Sequence, residues 1–456
     1  MKKISLLLAG FFLAVGLMAQ TDCGPYRFRN FSIADTASLD VIDGDTFTLV
    51  SKYPQQIPDF VKMPWDKIDF KKKQSSFMES VLGYCLEGNV EVDFKSHLNE
   101  VRPWYHAPWM DNGYAGREPM HGLVMDRTAY AEDFLSNEKT KSRTYAITYY
   151  NDIAAYTLGQ VWCDPANPDP SKAVFSEGAT FFTMVFIASD STIYPFLSYP
   201  YKWEALIEQK TMVPIDDKRV DELALFEVNF GVKTAKSPTG WVMGSFIYNG
   251  DNGEDLASRL QPVCLQWGND PGVTPSAVRK GEAEIAESWY NTAVYDTANM
   301  AGSLIKKTGF AGRAQRPLGS REGSLLSEAQ RASFPAGPVI PPANIDMDST
   351  MKYYDNSGEA LAMEGIQSLD YVLELRTGLR NHAYSTGDSA LIQEINLELE
   401  EAFGFFPPDK TKKVEEEEEV IEYDQGLEGK NLYVFIGFIV LVLVIGALLV
   451  LNILRK

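Results

Sequence analysis

Residues 179–189 read ATFFTMVFIAS, a run of β-branched and aromatic residues that follows a Glu177-Gly178 turn. Such side chains fit a pleated, half-buried surface better than a helix. The next runs repeat the theme. Residues 219–232 end in LALFEVNFGV, whose apolar positions alternate, and residues 240–248 read GWVMGSFIY before the turn Asn249-Gly250-Asp251-Asn252-Gly253. Residues 260–267 form another short run, closed by GNDPG. Short strands with Gly, Asn, Asp and Pro between them predict a mainly β body, an antiparallel sandwich or barrel.

Working outward, residues 144–162 are rich in Tyr, Ile and Thr, end in GQVW and predict a strand. Residues 40–50, DVIDGDTFTLV, alternate around a Gly-Asp turn and predict a hairpin. Downstream, AVRKGEAEIAESWY at 277–290 has helical spacing, and the Gly-, Pro-, Arg- and Ser-rich stretch 309–343 reads as a long connector. Asn356-Ser357 caps a predicted helix running through Asn381, with Ile366, Leu369, Val372 and Leu379 toward one face. Asp388 caps a second, ending near Phe403. No internal repeat is visible.

Both ends carry membrane signals. Residues 1–19 read as a secretory leader, with Lys2-Lys3 ahead of an apolar stretch at 4–17 and a cut before Gln20. Residues 431–454 contain a 20-residue run without charge at 432–451, followed by Arg455-Lys456. Such a run spans roughly 30 Å of hydrocarbon, and the two cations keep the C-terminus inside. The expectation is a single-pass inner-membrane protein with a periplasmic main domain. Residues 407–430, with five consecutive carboxylates at 415–419, read as a solvated acidic stalk. Between leader and stalk, residues 20–100 form an N-terminal β-containing segment, 101–343 the β-rich body and 344–406 a helical segment packed on it. The net charge of −20 argues against nucleic acid and against a broad basic face on anionic lipid.

Four cysteines, Cys23, Cys85, Cys163 and Cys264, remain after removal of the leader. An even number in an exported chain points to disulfides, with three connectivities open. The pairing Cys23–Cys85 with Cys163–Cys264 would join neighbouring regions. No C-x-x-C is present, so neither structural zinc nor a dithiol redox site is indicated.

The stretch densest in chemistry is RPWYHAPWMDNGYAGREPMHGL at 102–123. It holds two of the four histidines, His106 and His121, with Trp104, Trp109 and the pair Arg117-Glu118. Pro103, Pro108 and Pro119 stiffen it, so a rigid loop is expected rather than a helix. The histidines suit either metal ligation or hydrogen-bonded packing. Arg117 suits either capture of an anionic group or a local ion-pair network with Glu118. No nucleophile elbow, phosphate loop, HExxH or EF-hand loop is found.

A series of landmarks runs through residues 100–382: His106-Ala107-Pro108-Trp109, Gly116-Arg117-Glu118 with His121-Gly122-Leu123, and Gly159-Gln160-Val161-Trp162. It continues with Thr239-Gly240-Trp241-Val242 and Gly244, Trp267-Gly268-Asn269-Asp270-Pro271, Glu287-Ser288-Trp289, Gly312-Arg313 and Ser368-Leu369-Asp370-Tyr371. In this order they resemble a family of exported bacterial proteins similar to monohaem c-type cytochromes. The resemblance implies a C-x-x-C-H after the Gly-Arg landmark. Here Ser324 and Ser327 stand at the thiol positions and Glu328 at that of the proximal histidine. Serine forms no thioether with a haem vinyl, so covalent c-type haem is excluded.

The resulting expectation is a membrane-anchored envelope protein whose cytochrome-like domain has lost covalent haem and serves as a structural or interaction module, without cofactor and with an envelope protein as partner. Two alternatives differ in class. One is a redox protein or haem enzyme with noncovalent haem at His106 or His121. The other is a glycan-binding β-sandwich that stacks sugars on rings such as Trp104 and Trp109.

Overall fold

The computed structural model describes residues 45–58, 62–111, 116–130, 141–207, 219–268 and 373–386. It also describes 23, 28–31, 270, 273, 277, 280–284, 286–291, 293–294, 334–335, 366–367 and 370. The chain divides into two units, Met1–Pro407 and Pro408–Lys456, and every described residue lies in the first.

The body is built on one antiparallel sheet of eight strands. These are β1 (Val124–Tyr130), β2 (Lys141–Tyr150), β3 (Thr180–Ile187), β4 (Lys202–Ile207), β5 (Arg219–Lys233), β6 (Trp241–Tyr248), β7 (Leu260–Gln266) and β8 (Ser288–Tyr290). They pair in the order β1-β2-β3-β5-β6-β7-β8. The long β5 pairs with β6 through residues 227–233 and with β4 through 219–224. The mainly antiparallel β body is therefore present, as an open sheet among the described residues. A separate two-stranded pair joins β9 (Phe334–Pro335) to β10 (Ile366–Gln367). Among the described residues four helices accompany the sheet: α1 (Gln74–Leu86), α2 (Asp152–Val161), the single turn α3 (Leu256–Arg259) and α4 (Leu373–Thr386).

Period-2 alternation decides what each face carries. Tyr149, Phe182, Phe186, Val228, Phe230, Phe246 and Leu265 are buried together in the main core. Phe94, from the segment after α1, meets Tyr149 and Phe182 there, and Trp104 packs edge-on to Phe182 at 4.8 Å between ring centroids. Close packing sets one glycine: a Cβ at Gly244 would lie 2.6 Å from the Phe230 ring. The opposite face carries a polar file, since Thr148, Thr183, Asn229, Ser245 and Cys264 follow one another across five strands in register.

Helix α4 docks on that second face. Asp370, just before it, accepts from Lys233 Nζ at 2.6 and 2.8 Å, Trp241 Nε1 at 2.9 Å and the Phe175 N–H at 2.9 Å. Glu374 accepts from Thr148 Oγ1 and from Tyr150 O–H at 2.8 Å. Gly378 then lets the helix approach Pro108 O and the Trp162 ring, where a Cβ would stand 2.9 and 3.2 Å away.

Several expectations are corrected. Residues 144–162 are not one strand: β2 ends at Tyr150 and α2 follows, because the Asn151 side chain accepts from Ala154 N–H and caps it. Residues 277–290 do not form one helix, since Gly281 takes φ +72 and Ser288–Tyr290 pairs with β7. Asp270 supports that turn by accepting from Ala286 and Glu287 N–H. The helix expected to run through Asn381 begins at Leu373 and continues to Thr386, while Ile366–Gln367 is paired as β10. Residues 45–50 form no strand. The disulfide joins Cys23 to Cys163, and Cys85 and Cys264 are buried thiols. Proximity created by the fold across 140 positions decides that pairing, not nearness along the chain.

The leader, the stalk, the 431–454 run, the 388–403 helix, Asn356-Ser357, Ser324, Ser327 and Glu328 lie outside the described residues. Among the described residues no helix is long and apolar enough to cross a membrane.

Candidate functional site

At its described residues, 102–111 and 116–123, the stretch is the loop its prolines predict, without helix or strand beyond isolated bridges Tyr105–Tyr150 and Arg117–Val124. His106 lies at its centre and is buried. Its backbone N–H donates to Val50 O at 2.9 Å, and its Nδ1 accepts the Val50 N–H at 3.0 Å. Tyr53 O–H donates to His106 O at 2.7 Å. The imidazole sits 5.0 Å from Phe47 and 5.3 Å from Tyr149, ring to ring. Burial, reinforced by the Arg117 charge and then His97, holds its pKa well below the ordinary imidazole value. An Nδ1 that accepts leaves the proton on Nε2, which has no hydrogen-bond partner in the core. Nδ1 is thus engaged with the Val50 backbone, and Nε2 sits unpaired among the packed rings.

Arg117 and Glu118 are also turned inward. The Arg117 guanidinium donates to Gly122 O and to Ala107 O, and lies over the Phe47 ring at 5.1 Å. Burial lowers its pKa to about 10, opposed first by Asp111. Asp111 in turn pairs with Arg29 at 2.8 Å. Glu118 accepts N–H groups from Met120, His121 and Leu123, and burial outweighs them to raise its pKa. These two residues therefore shape the loop's own backbone. Trp104 is fully buried between Tyr84 and Phe182 and offers no face to a sugar. Trp109 takes φ 61 and packs on Trp162 and on His382 of α4, while its carbonyl accepts from Asn381. The six singled-out residues thus share one loop but point to different neighbours.

His121 is partly exposed. It stacks on Trp203 at 4.4 Å and 12°, with Phe186 on Trp203 at 4.2 Å. Its Nε2 lies 3.9 Å from Asp93 Oδ2. Asp93 Oδ1 accepts from Tyr201 O–H and from Trp203 Nε1 at 2.9 Å. Burial lowers the His121 pKa, against the pull of Asp93. The sequence reading missed Asp93, Tyr201 and Trp203. No spacing motif marks them, because they meet only when the segment after α1 folds onto β4. Asp93 and Phe94 are consecutive non-glycine residues at φ 50 and 57, conformations that cost roughly 1–2 kcal/mol each and hold only where packing enforces them.

Among the described residues no cluster of three or more His, Cys, Asp or Glu is placed to hold a metal ion. No protein family, curated protein or solved structure matches the chain. The cytochrome-like resemblance therefore rests on the ordered landmarks alone. Of these, Asp370 and Trp241 meet through a hydrogen bond, and Asp270 and Glu287 through the turn before β8.

Proposed function

We propose that this chain is an exported, membrane-tethered module that keeps a cytochrome-like body as a structural or interaction unit and has no covalent haem. The observation that carries the reading is His106, whose Nδ1 accepts the Val50 N–H inside an aromatic enclosure, as a packing element would. Arg117 and Glu118, spent on the loop's own backbone, support it further. The Cys23–Cys163 disulfide supports an oxidising compartment. In this reading the leader directs export, the 431–454 run anchors the chain in the inner membrane with the main domain periplasmic, and 407–430 is a solvated acidic stalk. The partner is a protein of the same envelope.

A noncovalent haem has one observation in its favour, the partly exposed imidazole of His121. An absorption spectrum with iron analysis of the protein from a haem-replete host separates the two. The module reading expects no Soret band and no iron. A stoichiometric band lost in His121→Ala would replace it with redox chemistry.

A further inference from the structure

Residues 87–102 form a compact loop whose ends meet, with Arg102 paired to Glu87 at 2.5 Å. Asn99 closes it from within, donating to Asn89 Oδ1 at 2.8 Å and to Glu87 O, while Asn89 donates to Cys85 O. Gly88, at φ +74, sits so close to Val101 that a Cβ would stand 2.8 Å from the Val101 Cβ. Phe94 is buried among Tyr149, Phe182, Tyr201 and Trp203, and Asp93 ties the loop to β4. Ordered loops of this shape, with both ends pinned and a strained backbone at their centre, are frequent carriers of function.

What the loop shows outward is unusual for a surface turn. Val90, Leu98 and Val101 are 41, 49 and 61% exposed, half of the exposed large hydrophobic side chains among the described residues. Around them the cations are taken: Arg102 by Glu87, with its guanidinium over the Tyr84 ring, and Lys95 by Asp45 at 3.5 Å. Glu91 and Glu100 stay exposed to solvent. Exposed Val90, Leu98 and Val101 on a fixed backbone, with the exposed Glu91 and Glu100 as chain neighbours and no ion pair to either among the described residues, have the make-up of a docking surface that wants an apolar partner bearing positive charge.

We propose that the 87–102 loop is the surface through which this protein docks an envelope partner, and that the partner presents a Lys- or Arg-bearing segment with apolar anchors. This rests on the interaction-module reading and names the site and chemistry of that interaction. The loop needs no rearrangement to bind, since its backbone is already fixed by Asn89, Asn99 and the buried Phe94.

The test uses the full-length protein in its own cells, with a photo-crosslinking phenylalanine analogue at Leu98, at Val174 or at Ile57, each exposed. Cross-linked products are sequenced and the partner segment mapped. That partner, purified, is then titrated against the protein with Glu91→Lys plus Glu100→Lys, or with Val90→Ser plus Val101→Ser. The proposal expects adducts from Leu98 to a basic, apolar segment. It also expects each double variant to weaken binding about tenfold, the charge pair losing its effect as salt rises, with melting temperature unchanged. Adducts confined to Val174 or Ile57 would overturn the loop as the surface while leaving the interaction module intact. Leu98 adducts to an acidic segment or to a second copy would overturn the partner chemistry. An absence of adducts at all three positions would overturn both the proposal and the module reading.

Discussion

Asp370→Ala removes the residue that clasps the C-terminal helix to the sheet, and its cost follows from the donors that its carboxylate holds. These are Lys233, Trp241 Nε1 and the Phe175 N–H, and the side chains of the ion pair are 17 and 9% exposed. Breaking a buried pair from one side costs about 3–5 kcal/mol. Lys233 keeps some access to water, which lowers that figure. The stranded indole and amide donors raise it again, at roughly 1–3 kcal/mol each if left unpaired. These effects share one pocket and do not add. Asp370 also stands at φ 49, which alanine tolerates poorly. The expected loss is about 4 kcal/mol. Asp370→Asn, which tolerates that conformation, isolates the charge and loses about 2 kcal/mol. Urea unfolding followed by tryptophan fluorescence gives both numbers, and limited proteolysis reports release of α4. In Lys233→Met combined with Asp370→Asn, the second change costs less than it does alone, the sign of coupling across the pair. A loss below about 1 kcal/mol in Asp370→Ala, or no coupling in the cycle, would refute the clasp.

The three histidines with depressed folded pKa, His106, His121 and His382, contribute stability that is present above their unfolded value and lost as pH falls through their folded values. Stability should therefore drop below about pH 6.5, by up to roughly 1.4 kcal/mol per pH unit for each histidine, and His106→Gln should flatten the slope in urea melts at about pH 7 to 5. Cys23→Ser should cost up to about 5 kcal/mol on chain-entropy grounds, read as a lower urea midpoint. Cys85 and Cys264, buried and with raised pKa, should resist an alkylating reagent until the protein unfolds, as counted by intact mass. Gly244→Ala should destabilise by about 1–3 kcal/mol through its clash with Phe230, measured the same way as the disulfide variant.

The strands were legible where side chains follow the sheet's own period. β3, β5, β6 and β7 fall where alternation and turn residues put them, because one face of each must be buried. The same logic misread residues 152–161. Tyr149-Tyr150 continues a strand pattern up to Asn151, and only the cap at Asn151 followed by Ala154-Ala155 signals a change of period. Helices α1 and α4 owe their place to tertiary contacts. α1 begins without a side-chain cap, and α4 is held by Asp370 and Glu374 through partners more than 100 residues away. The loop at 102–123 was recognisable as rigid from its prolines. The sequence did not reveal that His106 would spend its Nδ1 on Val50, or that Asp93, Tyr201 and Trp203 would gather at His121. Those contacts are long-range, and no local spacing encodes them.

The state of His106 tests the account most directly. With four histidines in the chain, nitrogen-15 labelled imidazole is assignable by one His106→Gln comparison. The account predicts that His106 stays neutral with its proton on Nε2 from about pH 8 to pH 5, and that its signals do not move when haemin is added. A His106 that titrates near about pH 6.5, or whose signals broaden or shift with haemin, would contradict it and return this loop to ligand chemistry.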